Sequence, residues 1–81
     1  MRKLDFRNVN MIDMKVKEAI KIIEQDGWFM VRMKGSHRQF KHKNKQGVVT
    51  IAGNLNHDLA KGTFQSILFQ TGLKHGRTKS V

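Results

Sequence analysis

The sequence predicts an α+β domain in the order α-β-β-β-α: a three-stranded antiparallel sheet carrying two helices on one face. Three observations in the 81 residues lead there. Residues 15–25 space their apolar side chains as an amphipathic helix does. From Trp28 the spacing drops to two, and polar, glycine-containing stretches at 35–36 and 44–47 divide the run into three pieces. A second helical stripe then closes on Gly72.

Residues 1–13 mix Arg2, Lys3 and Arg7 with Phe6, Val9 and Ile12 and keep no period. They predict a flexible N-terminal extension ahead of one domain over residues 14–73, with Met11 and Met14 as alternative starts. The first helix places Val16, Ala19, Ile20 and Ile23 on one stripe, widened by Ile22, while Lys15, Lys17, Lys21 and Glu24 face away. Asp13 is positioned to cap its start, and Gly27 suits the left-handed position past its end. Over residues 28–34, alternation assigns Phe29, Val31 and Met33 to the core face and Trp28, Met30, Arg32 and Lys34 to the other. Gly35-Ser36 turns the chain. In the second strand His37, Gln39 and Lys41 point one way, and Arg38, Phe40 and His42 the other. A polar loop, Asn44-Lys45-Gln46-Gly47, leads to a β-branched third strand over residues 48–52. The second helix is expected to start at Gly62-Thr63, with Thr63 as its cap and Phe64, Ile67, Leu68 and Thr71 inward. Leu73 should fold back toward Leu68 after the Gly72 stop. Residues 74–81 predict a basic, flexible tail.

Charge narrows the partner. Sixteen Lys and Arg against six Asp and Glu give a net +10. Ten of those cations lie from Trp28 onward, where Asp58 is the one acid. Such an imbalance points to nucleic acid, an anionic membrane or an acidic protein. A membrane surface fits least, because the basic part alternates as strands and not as a basic amphipathic helix. No apolar run approaches the roughly 20 residues that cross a bilayer, and no signal-peptide core is present. The expectation is a cytoplasmic protein with no membrane partner. Without cysteine, disulfides and thiolate metal sites are excluded. The histidines, His37, His42, His57 and His75, are not spaced as ligands, since a regular strand aims His37 and His42 at opposite faces. Neither a metal nor any other cofactor is expected.

The stretch Arg32-Met33-Lys34-Gly35-Ser36-His37-Arg38-Gln39-Phe40 sets a histidine beside a tight turn and among cations. Histidine has an ordinary pKa near neutrality, so it can both take and give protons. RNA cleavage asks for little more. The 2′-hydroxyl of the RNA is the nucleophile, one base activates it, and cationic groups bear on the charge at phosphorus. His37 is the candidate base, and Arg32, Lys34, Ser36, Arg38 and Lys41 are the candidate RNA-binding residues. Arg38 shares a face with Phe40, so it reaches a phosphate at His37 only through an irregular start to the second strand. Serine catalysis fits poorly: no glycine follows Ser36 as in the hydrolase elbow, and no Asp or Glu lies nearby. Ser36 reads as a turn residue or hydrogen-bond donor. On the residues alone, a histidine in a basic hairpin is more often a plain surface residue. Three functional readings stay open: a metal-independent ribonuclease, a non-catalytic double-stranded-RNA-binding module, and a protein recognising acidic partners.

Residues 15–73 resemble the HicA family of bacterial mRNA interferase toxins. The resemblance is carried by Asp26-Gly27-Trp28 after the first helix and by Gly35-Ser36-His37-Arg38-Gln39-Phe40 at the turn. It continues through Val48-Val49-Thr50-Ile51-Ala52-Gly53 and the closing stretch Leu59-Ala60-Lys61-Gly62-Thr63-Phe64-Gln65-Ser66-Ile67-Leu68-Phe69-Gln70-Thr71-Gly72-Leu73. It implies a fold like the double-stranded-RNA-binding domain and the toxin of a type II toxin–antitoxin system. It also implies cleavage of mRNA with His37 as the essential catalytic residue, presented by Gly35 and Ser36. A HicB-type antitoxin is the implied partner, covering the site of a toxin that is monomeric when free. Two departures stand out. The first thirteen residues precede the usual start of such toxins, and Ala52-Gly53 replaces the proline and histidine that many members carry after the third strand. No role carries over to His57, which stands only as the first candidate for an auxiliary acid.

Overall fold

A computed structural model describes residues 14–73. Its elements are α1 (Val16–Gln25), β1 (Trp28–Lys34), β2 (His37–His42), β3 (Val49–Ala52) and α2 (Lys61–Gln70). This is the expected α-β-β-β-α order, with an antiparallel sheet in the strand order β1-β2-β3. The expectations for residues 1–13, Asp13 as a cap among them, and for the tail at 74–81 fall outside the described residues.

α1 buries Val16, Ala19, Ile22 and Ile23, while Ile20 of the expected stripe is only partly buried against the same core. At its start the Glu18 carboxylate accepts the Lys15 backbone N–H at 3.0 Å, one half of a capping box. The orphan donors of the first turn find carbonyls in the loop before α2: Val16 N–H donates to His57 at 3.0 Å and Lys17 N–H to Leu55 at 3.1 Å. Trp28, Phe40, Val49 and Ile51 cover one face of the sheet. They meet α1 together with Phe64, Ile67 and Leu68 of α2, and Met14 and Leu59 close the cluster. Both helices therefore pack on the same side, and the other face of the sheet is left bare.

β1 departs from the expected alternation. Phe29, Val31 and Met33, assigned to the core, are 50%, 47% and 53% exposed, whereas Trp28 is 2% exposed. A bulge divides the strand into two phases. Trp28 pairs with His42, Phe29 with Lys41 and Met30 with Phe40, but the register then slips so that Arg32 pairs with Gln39, Met33 with Arg38 and Lys34 with His37. Val31 is the extra residue, and an inserted residue reverses the facing of everything beyond it. Before the bulge Trp28 and Met30 face the helices; after it Met33 does, while Arg32 and Lys34 turn outward. The helices cover only the Trp28 end of this edge strand, so Met30 and Met33 stay accessible.

α2 begins at Lys61 with Ala60 in the cap position, and no side chain caps it. Thr63, the expected cap, lies in the first turn. The Phe64 N–H already reaches the Ala60 carbonyl at 3.0 Å, and burial of Phe64, Ile67 and Leu68 holds the helix in that phase. The far end follows expectation: Leu73 N–H returns to the Leu68 carbonyl at 2.9 Å after Gly72. Thr71 is buried there, its hydroxyl directed at the carbonyls of Ile67 and Leu68.

A polar hub ties the end of α1 to both the sheet and α2. The Asp26 carboxylate receives the Trp28 indole N–H at 3.1 Å and the Lys45 ammonium. Lys45 also donates to the Thr71 carbonyl at 2.9 Å. His42 stacks edge-on to Trp28 with ring centroids 5.3 Å apart. Its Nε2 bonds the Asp26 carbonyl at 2.7 Å and its Nδ1 accepts the Asn44 N–H at 2.9 Å, so the proton sits on Nε2. Gly27, at φ +106°, passes so close to this ring that a Cβ there would stand 2.8 Å from Nε2.

Candidate functional site

The bare face of the sheet is built in rows. Lys34, His37 and Ala52 form one row across the three strands, and Arg32, Gln39 and Thr50 form the next. His37 thus sits on the central strand, flanked by a lysine directly opposite and by an alanine whose small side chain leaves room beside the ring. Directly opposed side chains on a sheet lie about 5 Å apart at Cβ, and diagonal ones about 7–8 Å. Arg32, Lys34, His37, Gln39 and Thr50 together line an open cleft of about 500 Å³. No hydrogen bond or ion pair engages the side chains of Arg32, Lys34 or His37 among the described residues. No carboxylate occurs in any of the three strands. The cleft is cationic and open to an anion.

The hairpin that presents His37 is held from behind. Gly35, at φ +59°, occupies the first central position of a two-residue turn, the conformation that suits a twisted hairpin and that a side chain resists. The carbonyl of Ser36 accepts the Gly53 N–H at 3.2 Å and Arg38 Nη1 at 3.2 Å. The same Nη1 donates to the Gly53 carbonyl at 2.8 Å. Arg38 is 8% exposed and pairs with Met33 and Ile51 on the helix side of the sheet. Its guanidinium is spent on two backbone carbonyls, and it does not line the cleft. A regular start to β2 puts it there, as strand parity implies.

The remaining candidates separate by position. Ser36 is exposed in the turn and contributes its carbonyl to the strap just described. Lys41 lies on the His37 face, opposite Phe29, two rows from the histidine and outside the cleft lining. His42 faces the helices, as its five-residue separation from His37 dictates, and belongs to the structural hub. His57 sits in the loop before α2, its carbonyl bound to the start of α1, and does not line the cleft. Gln39 and Thr50 complete the cleft beyond the candidate residues. Parity places Gln39 beside His37; Thr50 is set there by the register of β3 against β2. Among the described residues no group of three or more His, Asp or Glu side chains is arranged to hold a metal ion, and no helix is long and apolar enough to cross a membrane.

A family model described as the HicA toxin of bacterial toxin–antitoxin systems matches residues 16–73. The chain belongs to the HicA toxin family. No curated protein matches it. The matched span contains every described strand and helix, together with the whole cleft. Membership makes the protein the toxin of a toxin–antitoxin pair, and it supplies the class of partner, an antitoxin. Both agree with the resemblance carried by the Gly35-Ser36-His37 turn and the closing helix.

Proposed function

We propose that this HicA-family toxin is a metal-independent endoribonuclease that cleaves mRNA in the cytoplasm, with His37 as its general acid/base. The observation that supports this most directly is the position of His37. It stands exposed on the central strand, at the hairpin end of a carboxylate-free sheet face, across from Lys34 and beside Arg32. In the proposed step a His37 ring nitrogen takes the proton of a ribose 2′-hydroxyl. The freed oxygen attacks the adjacent phosphorus, the bond to the 5′-oxygen breaks, and that oxygen takes a proton from solvent water, which His37 makes good by releasing the proton it took. Lys34 and Arg32 bear on the non-bridging phosphate oxygens, where negative charge builds as the pentavalent arrangement forms. The products are a 2′,3′-cyclic phosphate and a 5′-hydroxyl. The free toxin acts as a monomer, and a HicB-type antitoxin silences it by covering this face, as in a type II system.

An RNA digest in EDTA tests the reading. Wild type should cleave and leave cyclic phosphate ends, while His37→Ala, shown folded by circular dichroism, should be inactive. Undiminished cleavage by folded His37→Ala would end the proposal, and 3′-hydroxyl products would exclude attack by the 2′-oxygen. The alternative of a non-catalytic double-stranded-RNA reader draws less support. Such domains grip phosphates with a lysine cluster at the start of the last helix, and the first turn of α2 offers only Lys61.

A further inference from the structure

The bulge at Val31 does more than aim Arg32 and Lys34. Residues three apart on a regular strand point to opposite faces, yet Phe29 and Arg32 share the His37 face because the extra residue lies between them. A third row therefore follows the two that form the cleft, with Phe29 opposite Lys41. Phe29 is half exposed, and Lys41 is exposed beside it. Met30 and Met33, also exposed, lie on the helix side, so among the β1 residues in register Phe29 is the apolar one facing with His37.

We propose that Phe29 and Lys41 form a nucleobase subsite, in which a base of single-stranded RNA stacks on the Phe29 ring while Lys41 holds the adjoining phosphate. The proposal rests on the ribonuclease reading above and extends it to substrate class. The spacing fits. Lys41 is four residues along β2 from His37, about 13 Å at the rise of an antiparallel strand. Each row is about 7 Å from the next, close to the reach of one extended nucleotide. A strand whose scissile phosphate lies at His37 carries its neighbouring phosphate past Arg32 and presents a base to Phe29 roughly two nucleotides away. The pairing of an aromatic face with a cation, without a carboxylate in the strands, is the chemistry that single-stranded nucleic acid selects and an acidic protein surface does not require. A duplex would keep its bases stacked inside and leave the ring unused. The subsite therefore favours unpaired RNA.

The test uses full-length protein and a single-stranded RNA of roughly eight nucleotides spanning a cleavage site first mapped with wild type. A 2′-deoxy nucleotide at the scissile position blocks attack, so binding is read by fluorescence anisotropy without cleavage. Phe29→Ala and Phe29→Leu should each weaken binding about five- to a hundredfold, whereas Phe29→Trp should hold or tighten it. Thermal melts of the three variants should match wild type closely, because the ring is half exposed. A scan with one abasic nucleotide should find a single position, about two from the cleavage site, whose loss weakens wild type but not Phe29→Ala. Equal affinity of wild type and Phe29→Ala, or retention of affinity by Phe29→Leu, overturns the subsite while leaving His37-dependent cleavage standing. If Phe29→Ala leaves RNA binding intact and instead weakens the complex with the antitoxin, the ring is a protein-docking residue and the proposal falls. Failure of wild type to cleave RNA at all removes both readings together.

Discussion

Replacing Arg38 by methionine tests whether this arginine is a strap or an RNA contact. The aliphatic part of the side chain is retained, and the guanidinium that joins Ser36 and Gly53 is removed. Hydrogen bonds from a charged donor contribute about 1.5–3 kcal/mol each. Here one nitrogen serves two acceptors, and the 3.2 Å bond to Ser36 is backed by the Gly53 N–H, so the two do not add in full. The Gly53 carbonyl, by contrast, loses its 2.8 Å partner. A net loss of about 2–4 kcal/mol follows, which for a domain of this size lowers Tm by roughly 10–30 °C. Arg38→Lys, which brings one ammonium to one carbonyl, should fall between methionine and wild type. The second assay is the salt dependence of RNA binding, measured below the melting temperature of each variant. A phosphate contact contributes about one to the slope of log affinity against log salt. Arg38→Lys should leave that slope unchanged, whereas Arg32→Met should reduce it by about one. The reasoning is refuted if Arg38→Met melts like wild type and lowers the slope as Arg32→Met does.

Other outcomes follow from the same geometry. Gly27→Ala forces a side chain into φ +106° and drives its Cβ toward His42, whose ring is held at both nitrogens. It should cost about 2–3 kcal/mol in urea unfolding, with cleavage per folded molecule unchanged. Asp58 is the acid-side titration to watch: its hydrogen bond and charge interaction with Lys15 hold the carboxyl below its ordinary value of 3.8. A depressed folded pKa gives stability that is fully present above 3.8 and lost as pH falls through the lowered value. Between wild type and Lys15→Met, melting temperatures should therefore converge below pH 3.8 and separate slightly above it, by an amount that shrinks in salt because the pair is exposed.

Much of the fold is written locally. The stripe of α1, the clean parity of β2 and the Gly72 stop with Leu73 folding back each follow from spacing alone, because each element buries one face against a single core. β1 does not, for a specific reason. Trp28-Phe29-Met30-Val31 is apolar at four consecutive positions, so period two has nothing to select between, and the bulge is decided by pairing with Phe40 and Gln39. The start of α2 differs from expectation for a related reason: Thr63 is a good cap by residue type, but the buried phase of Phe64 and Ile67 extends the helix back to Lys61. At the site, alternation groups His37, Arg32 and Lys34 correctly on one face, even though it reverses the facing of Trp28, Phe29 and Met30 ahead of the bulge. Lys34 and His37 flank a two-residue turn and must oppose each other whatever happens farther down the strand. The employment of Arg38 needed a carbonyl fifteen residues away, at Gly53, which no local pattern encodes.

The Asp26 hub carries a consequence for how the molecule opens. One carboxylate and one lysine join the end of α1, the loop after β2 and the C-terminus of α2, segments separated by 19 and 26 residues. The ends of helices ordinarily fray independently and exchange their amide protons early. Here neither helix can loosen its C-terminal turn without releasing Lys45, and with it the other. The amides of Gly27 and Thr71, bonded to Glu24 and Ile67, should therefore exchange deuterium at a common rate, reporting one shared opening. The hairpin at His37 lies at the opposite end of the sheet, outside that opening, so the toxin can keep its cationic face assembled while the far end breathes.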